Sequence, residues 1–177
     1  GMACEITTGK CEPPATVQQL WVFAPCSDDL NDNDCRLRCR FGDGVLPGGL
    51  TVPTPSGKKC CICIANLMHR YPPGGLWGVP RLTPKYFDCL HAVSQCVAEH
   101  EHEHMRQEGG SLQYRDCLAY AAQVMCLNQR LLDEAWGPCY RLLFDALRAA
   151  HGNMTVQCEA CFSQQGARNY PEYPDFP

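Results

Sequence analysis

The chain has 177 residues, of which 45% are hydrophobic, and its formal net charge is −4. This length and apolar content are sufficient for one globular domain with a substantial core. The acidic balance and the absence of a lysine- or arginine-rich run exclude the electrostatic footprint of a nucleic-acid-binding protein. No uninterrupted apolar stretch approaches the roughly 20 residues that cross a bilayer, so we expect no membrane span.

The first half of the chain is rich in proline and glycine and contains three stretches that predict strands, at residues 17–24, 35–41 and 60–68. Between them, residues 41–58 have the composition of a loop, and residues 71–80 form a second such segment. Long loops in a compact domain are often functional. We weigh two interpretations equally: surface loops held by nearby disulfides, and segments that shape a substrate cleft.

From Thr83 onwards the pattern is helical. Thr83 is a suitable N-cap with Pro84 at the first helical position, and the pair Gly109-Gly110 predicts the end of this first long helix. Ser111 then begins a second helix.

The second helix is predicted over residues 113–134, before Gly137-Pro138, and a third over 139–150. The predicted buried stripe of the second helix consists of Ala119, Tyr120, Val124, Leu127 and Leu131. Residues 166–177 are rich in proline and tyrosine without periodicity, which predicts an extended tail.

Cysteine is strongly over-represented, with fifteen residues in the chain. Such a count predicts disulfides formed in an oxidising compartment, so we expect a secreted or periplasmic protein. The odd number leaves at least one cysteine free, paired between chains or paired outside this sequence. The alternative is structural zinc in a reducing compartment, with ligands drawn from Cys158, Cys161, Cys60, Cys61 and Cys63. Cys158 and Cys161 form the one clear C-x-x-C pair, whereas the other cluster places three cysteines within four positions, and no βαβ pattern supports a thioredoxin-like role, so disulfides are favoured.

The most informative motif is HEHEH at residues 100–104, which contains H-E-x-x-H within the first long helix. Helical spacing places His100 and His104 one turn apart on the same face, and Glu101 beside them. The apolar stripe that leads into these two histidines consists of Cys89, Leu90, Val93, Cys96 and Val97. The histidines therefore continue a buried face, and His102 points away from it.

Two histidines, a third ligand and an open position are typical of a catalytic Zn²⁺ site, with Glu101 as general base. A polar helix surface and a metal site without catalysis are the alternatives.

A third zinc ligand is needed, and Asp116 is our candidate. It begins the second helix after a short turn, so an antiparallel helix pair would bring its carboxylate back towards the histidines. Tyr120 lies one turn further along and is placed to stabilise an oxyanion. The alternatives are a helix-start residue for Asp116 and a core aromatic for Tyr120. Three other carboxylates are less suitable because of distance or because they face solvent: Asp133, Glu134 and Glu103.

Three segments carry a family resemblance: CVAEHEHEH at residues 96–104, DCLAY at 116–120 and CL at 126–127. Together they resemble zincin-like HExxH metallopeptidase domains, in particular the cysteine-rich domains of bacterial secreted proteins, including the ends of Rhs-type polymorphic toxins. The resemblance spans residues 89–139. It implies His100 and His104 as zinc ligands, Glu101 as base, and a carboxylate near Asp116 as third ligand, where the family pattern has glutamate. No H-x-x-G-x-x-H extension follows, which excludes the metzincins.

We therefore expect an α+β fold with a helical zincin-like core of two to three helices and a loop-rich, short-stranded, disulfide-stapled N-terminal half. Residues 1–165 form a single domain in this interpretation, divided into a loop and strand part (1–82) and a helical metal-site part (83–150). The expected function is Zn²⁺-dependent hydrolysis of peptide bonds in a peptide or protein substrate. The rivals are a secreted, disulfide-rich binding module without enzymatic activity and a metal-binding protein.

Overall fold

The computed structural model describes residues 3–4, 11–12, 25–40, 47–73, 83–107, 109–134 and 137–165. The described chain is α+β, as expected, with five helices and five short strands. The strand predicted at 17–24 and the tail predicted at 166–177 lie outside the described residues. The elements in order are β1 Ala3–Cys4, β2 Cys11–Glu12, β3 Ser27–Asp28, α1 Asn33–Arg40, β4 Gly49–Thr54, β5 Gly57–Ile62, α2 Ile64–Arg70, α3 Pro84–Arg106, α4 Leu112–Glu134 and α5 Tyr140–Gln165.

The larger sheet has three strands in the order β3-β5-β4, and β1 pairs with β2 separately. Strands β4 and β5 are antiparallel with Thr54 opposite Gly57, whose φ of 134° allows the tight turn. The prediction of a loop over 41–58 was wrong for this hairpin. Leu50 and Val52 share one face of β4 and pack against buried cysteines. This packing stabilises a strand in a stretch that is rich in proline and glycine.

Helix α1 replaces the strand predicted at 35–41, which was wrong. The Asp32 carboxylate accepts hydrogen bonds from the backbone N–H groups of Asp34 and Cys35, at 2.9 and 3.2 Å, and so caps this helix. Cys35 and Cys39 lie one turn apart on its buried face; a disulfide links Cys35 to Cys61 in β5, and another links Cys39 to Cys63, the residue after β5. The cross-links fix this short helix on the sheet.

The strand predicted at 60–68 was correct only to Ile62, because α2 begins at Ile64. The buried Asp29 carboxylate determines this change, since it accepts hydrogen bonds from Ile64 N–H at 2.7 Å and Ala65 N–H at 3.3 Å. These two donors belong to the first helical turn, where they lack partners within the helix.

Helix α3 begins and ends where the sequence predicts. Thr83 accepts a hydrogen bond from Tyr86 N–H at 3.3 Å, and Pro84 occupies the first turn. At the other end, Lys58 donates from Nζ to the carbonyl oxygens of His104, at 3.0 Å, and Gln107, at 2.8 Å. A cation at these unpaired carbonyls stabilises the turn that carries His104.

Helices α4 and α5 complete a bundle with α3. Helix α4 agrees with its prediction within one residue, but α5 continues to Gln165, well past the end predicted near residue 150. Gly152 faces open space and does not end the helix, while Met154 and Cys158 extend its buried stripe. Tertiary packing thus offsets the cost of about 1 kcal/mol for a helical glycine.

Among the described residues, six disulfides connect these elements. They are Cys26–Cys60, Cys35–Cys61, Cys39–Cys63, Cys89–Cys139, Cys96–Cys126 and Cys117–Cys158. Such density indicates an oxidising compartment. Cys60, Cys61, Cys63 and Cys158 take part in these disulfides, so structural zinc at these four cysteines is incompatible with this structure. Among the described helices, none combines the length and apolarity required to cross a bilayer.

We expect denatured, unreduced protein to expose at most three thiols per chain, because six disulfides account for twelve of the fifteen cysteines. Thiol titration in denaturant measures this number, and fully reduced protein serves as the control that reveals all fifteen. A count well above three in the unreduced sample would contradict the disulfide framework.

Candidate metal and catalytic site

The two motif histidines converge on one point. Nε2 of His100 and Nε2 of His104 are 3.1 Å apart, and their rings meet edge to face with centroids 4.8 Å apart. Two nitrogens that each lie about 2.05 Å from one zinc ion would be about 3.3 Å apart at a tetrahedral angle. The observed separation therefore suits a shared ion, and without one it suits a hydrogen bond between neutral rings.

Both histidines are held in the neutral form that binds metal. Burial lowers the pKa of His100 to about 3, assisted by the nearby His104, while Gln123 offsets part of the effect. Burial also lowers the pKa of His104, against a smaller opposing effect of Asp116. Nδ1 of His100 is buried without a hydrogen-bond partner. In this respect the site departs from the usual metal centre, where the second ring nitrogen donates to a neighbour.

Asp116 lies next to His104, as the antiparallel arrangement of α3 and α4 predicts. Its Oδ1 is 3.5 Å from His104 Nε2, which again suits one edge of a zinc tetrahedron. Because the pKa of His104 is lowered, this contact joins a carboxylate to a neutral ring. The three candidate ligands do not yet surround one point. Among the described residues, the ligand atoms of His100, His104 and Asp116 do not all lie within 4.8 Å of one another.

Glu101 is buried, with 4% of its surface exposed, and its carboxylate accepts a hydrogen bond of 2.9 Å from Thr51 Oγ1. The same hydroxyl lies 3.0 Å from the Glu101 carbonyl oxygen. Burial raises the pKa of Glu101 to about 7; the bond from Thr51 lowers it in part and the charge of Asp116 raises it. A carboxylate with a pKa near the working pH is suited to act as general base.

Strand β4 approaches Glu101 closely because it carries glycine there. A Cβ atom on Gly49 would lie 2.8 Å from Glu101 Oε1 and 2.7 Å from Val97 Cγ1. Gly49 and Thr51 are the residues of this site that the sequence analysis missed. They lie in the segment 41–58, where a role in shaping a cleft was one of two interpretations, but nothing in the pattern indicated these two positions.

Tyr120 borders His100 and a cavity. Its ring packs edge to face on His100, with centroids 4.4 Å apart, and burial raises the pKa of its phenol, with a smaller contribution from Asp116. The phenol is therefore protonated at neutral pH and able to donate. It lines a cavity of about 250 Å³ together with His100, Glu101 and residues of β4, α2 and α5. The remaining polar side chains on the cavity wall are Arg70, Tyr71, Gln123 and Asn153.

The other two motif residues belong to different surroundings. His102 points away from the histidine pair, as predicted, and its Nε2 lies 3.4 Å from Cys26 Sγ. Glu103 contacts Arg106 at 3.2 Å and Gln107 at 3.3 Å on the helix surface. Asp133 accepts a hydrogen bond from Gln129 at the far end of α4. Neither Glu103 nor Asp133 is part of the histidine cluster.

The stability of metal-free protein should depend on the Glu101 carboxyl. Its folded pKa of about 7 exceeds the ordinary 4.5, so the folded state retains a proton that the unfolded state releases. Unfolding free energy should therefore fall as pH rises from 4.5 to 7. Relative to Glu101→Gln, wild type should lose about 3 kcal/mol between pH 4 and 8. Urea unfolding of both proteins measures this difference, and a constant difference across the range would show that burial does not hold the proton.

Comparisons of the chain with protein-family models, curated proteins and solved structures gave no match.

Proposed function

We propose that this chain is a zinc-dependent peptidase with a zincin-like site. The observation that carries the proposal is the convergence of His100 Nε2 and His104 Nε2, 3.1 Å apart, beside a cavity lined by Glu101. Two partly buried, neutral imidazoles and a carboxyl with a pKa near 7, all on one helix, are the set that H-E-x-x-H chemistry requires.

His100 and His104 would hold the ion, and Asp116 would be the third protein ligand. Asp116 already lies at tetrahedral distance from His104, and to complete the set its carboxylate would turn towards His100. Its side chain is about a quarter exposed, so the surrounding core does not lock it in place. A zinc ion bound there would supply Lewis-acid activation of water and of the substrate carbonyl.

In this proposal Glu101 accepts a proton from the attacking water and delivers it to the amine that leaves. Thr51 orients the carboxylate for this task through its hydrogen bond. Tyr120, protonated at neutral pH, donates to the oxyanion that forms on the substrate carbonyl. Glu101 and Tyr120 lie on the cavity wall, and Thr51 contacts Glu101 directly.

The sheet supports a peptide as the substrate. β4 is an edge strand in the order β3-β5-β4, and it runs past Glu101 through Gly49 and Thr51. An extended peptide can add to such an edge through main-chain hydrogen bonds. The adjacent cavity of about 250 Å³ has room for a substrate side chain. With six disulfides, such an enzyme would act after export, in the extracellular or periplasmic space.

Cleavage of an unfolded protein by the oxidised chain tests the proposal. We expect fragments in the presence of zinc, their loss after treatment with a chelator, and their return when zinc is added back. If the protein binds one zinc ion but cleaves no unfolded substrate, the enzymatic proposal is overturned.

That last outcome would favour a metal-binding protein without catalysis. One observation supports this second candidate: Asp116 does not complete the set of three ligands as it stands. Absence of both zinc binding and cleavage would instead favour a disulfide-rich binding module.

A further inference from the structure

A second cluster of potential metal ligands lies near His102. Nε2 of His102 is 3.4 Å from Cys26 Sγ, and Cys26 is joined to Cys60 by a disulfide. The ligand atoms of Cys26, Cys60 and His102 all lie within 4.8 Å of one another, and in the part of the chain that the structure describes no other such trio occurs.

We infer that reduction of Cys26–Cys60 converts this cluster into a metal site, occupied by zinc or a similar borderline-soft ion. A dithiol reductant would supply two electrons and two protons, breaking the S–S bond and leaving two thiols while the reductant closes its own disulfide. The ion would then displace both thiol protons to solvent and bind two thiolates and the His102 imidazole. The fourth tetrahedral position would remain open to water or another ligand. The inference does not depend on peptidase activity.

The distances suit this change. A sulfur and a nitrogen bound to one tetrahedral zinc lie about 3.6 Å apart, close to the 3.4 Å between His102 and Cys26. Two thiolates on the same ion lie about 3.8 Å apart, so the sulfurs need only separate to ordinary non-bonded contact. Neither requirement demands movement of the backbone elements.

The surrounding framework stays in place when this disulfide opens. Strand β5 remains tied to α1 by Cys35–Cys61, next to Cys60, and Cys63, which directly follows β5, remains tied to α1 by Cys39–Cys63. Strand β3 directly follows Cys26 and pairs with β5 through Ser27 opposite Cys61. The three ligands therefore stay together in the reduced protein.

Access favours this disulfide as one of the first to be reduced. Cys26 and Cys126 are the two part-exposed cysteines among the twelve described disulfide partners; the other ten are buried. Thiol–disulfide exchange requires access to a sulfur, so the bonds of these two residues open before the fully buried ones.

Cobalt binding after limited reduction tests the inference. Folded protein would be treated briefly with dithiothreitol, freed of reductant under anaerobic conditions and titrated with Co²⁺, with unreduced protein as baseline. Thiolate-to-cobalt charge-transfer absorption distinguishes a thiolate site from one built on His100 and His104, because imidazole ligands do not produce it. We expect the band in reduced wild type and in the control His91→Ala, whose histidine is an exposed residue of α3. We expect at least about tenfold weaker cobalt binding in His102→Ala.

The double variant Cys26→Ser, Cys60→Ser should lack the band after the same treatment. A band of equal strength in this variant would assign the thiolates to other cysteines and overturn the inference. Equal cobalt affinity in His102→Ala and wild type, or no band in reduced wild type, would also overturn it.

Discussion

Glutamine at position 101 is expected to lower the rate of peptide cleavage at least about 10²-fold, the usual size of general-base catalysis. Glutamine keeps the size of the side chain and can still accept the hydrogen bond that Thr51 donates to Glu101. It cannot take a proton from water. Zinc affinity should therefore change little, and kcat/KM on an unfolded protein substrate, compared with bound zinc per chain, measures the two effects separately.

Glu103→Gln is the matched control, because Glu103 lies on the same helix but contacts Arg106 and Gln107 at its surface. This variant should cleave at the wild-type rate. Equal cleavage by Glu101→Gln would exclude Glu101 as the base, and loss of zinc from that variant would make Glu101 a ligand.

Alanine at position 104 is expected to abolish cleavage and to weaken zinc binding at least about 100-fold, beyond the typical effect of removing an outer-sphere partner. His104 lies between His100, at 3.1 Å, and Asp116, at 3.5 Å, so its loss separates the remaining ligands. Zinc titration of the oxidised, metal-free variant by competition with a chelating dye measures the change.

His91→Ala provides the control for this experiment, since His91 is exposed on α3 and contacts Gln95. Its zinc affinity should equal that of wild type. Retention of stoichiometric zinc by the His104 variant at unchanged affinity would contradict the assignment of His104 as a ligand.

Local signals were sufficient to predict helices α3 and α4, although not the C-terminal end of α5. Thr83 and Pro84 mark the start of α3, and the glycine pair after it marks its end, because capping and helix termination depend on neighbouring residues. The spacing of His100 and His104 likewise determines their convergence, since residues four apart share a helix face.

The N-terminal half could not be predicted in the same way, because its elements depend on distant partners. Helix α1 is fixed by disulfides from Cys35 and Cys39 to β5 and to the residue after it, more than twenty residues away. Strand β4 exists because β5 pairs with it and Leu50 packs on the cysteine cluster. The local amino-acid composition indicates neither these disulfides nor this strand pairing.

Contacts between distant residues also explain why Thr51 and Gly49 were identified only from the structure. Glu101 is recognisable from its motif, whereas Thr51 lies fifty residues away and contacts it only in the folded chain. Gly49 is one of many glycines in the sequence. Its importance arises from the close approach of β4 to the Glu101 carboxylate, which no local pattern describes.

A crystal structure of the oxidised protein soaked with zinc, with data collected on both sides of the zinc absorption edge, tests the central claim most directly. We expect one anomalous peak about 2.0–2.1 Å from both His100 Nε2 and His104 Nε2, with the Asp116 carboxylate turned towards it as third ligand. A zinc ion bound elsewhere, or histidine side chains that remain paired to each other at saturating zinc, would contradict the account.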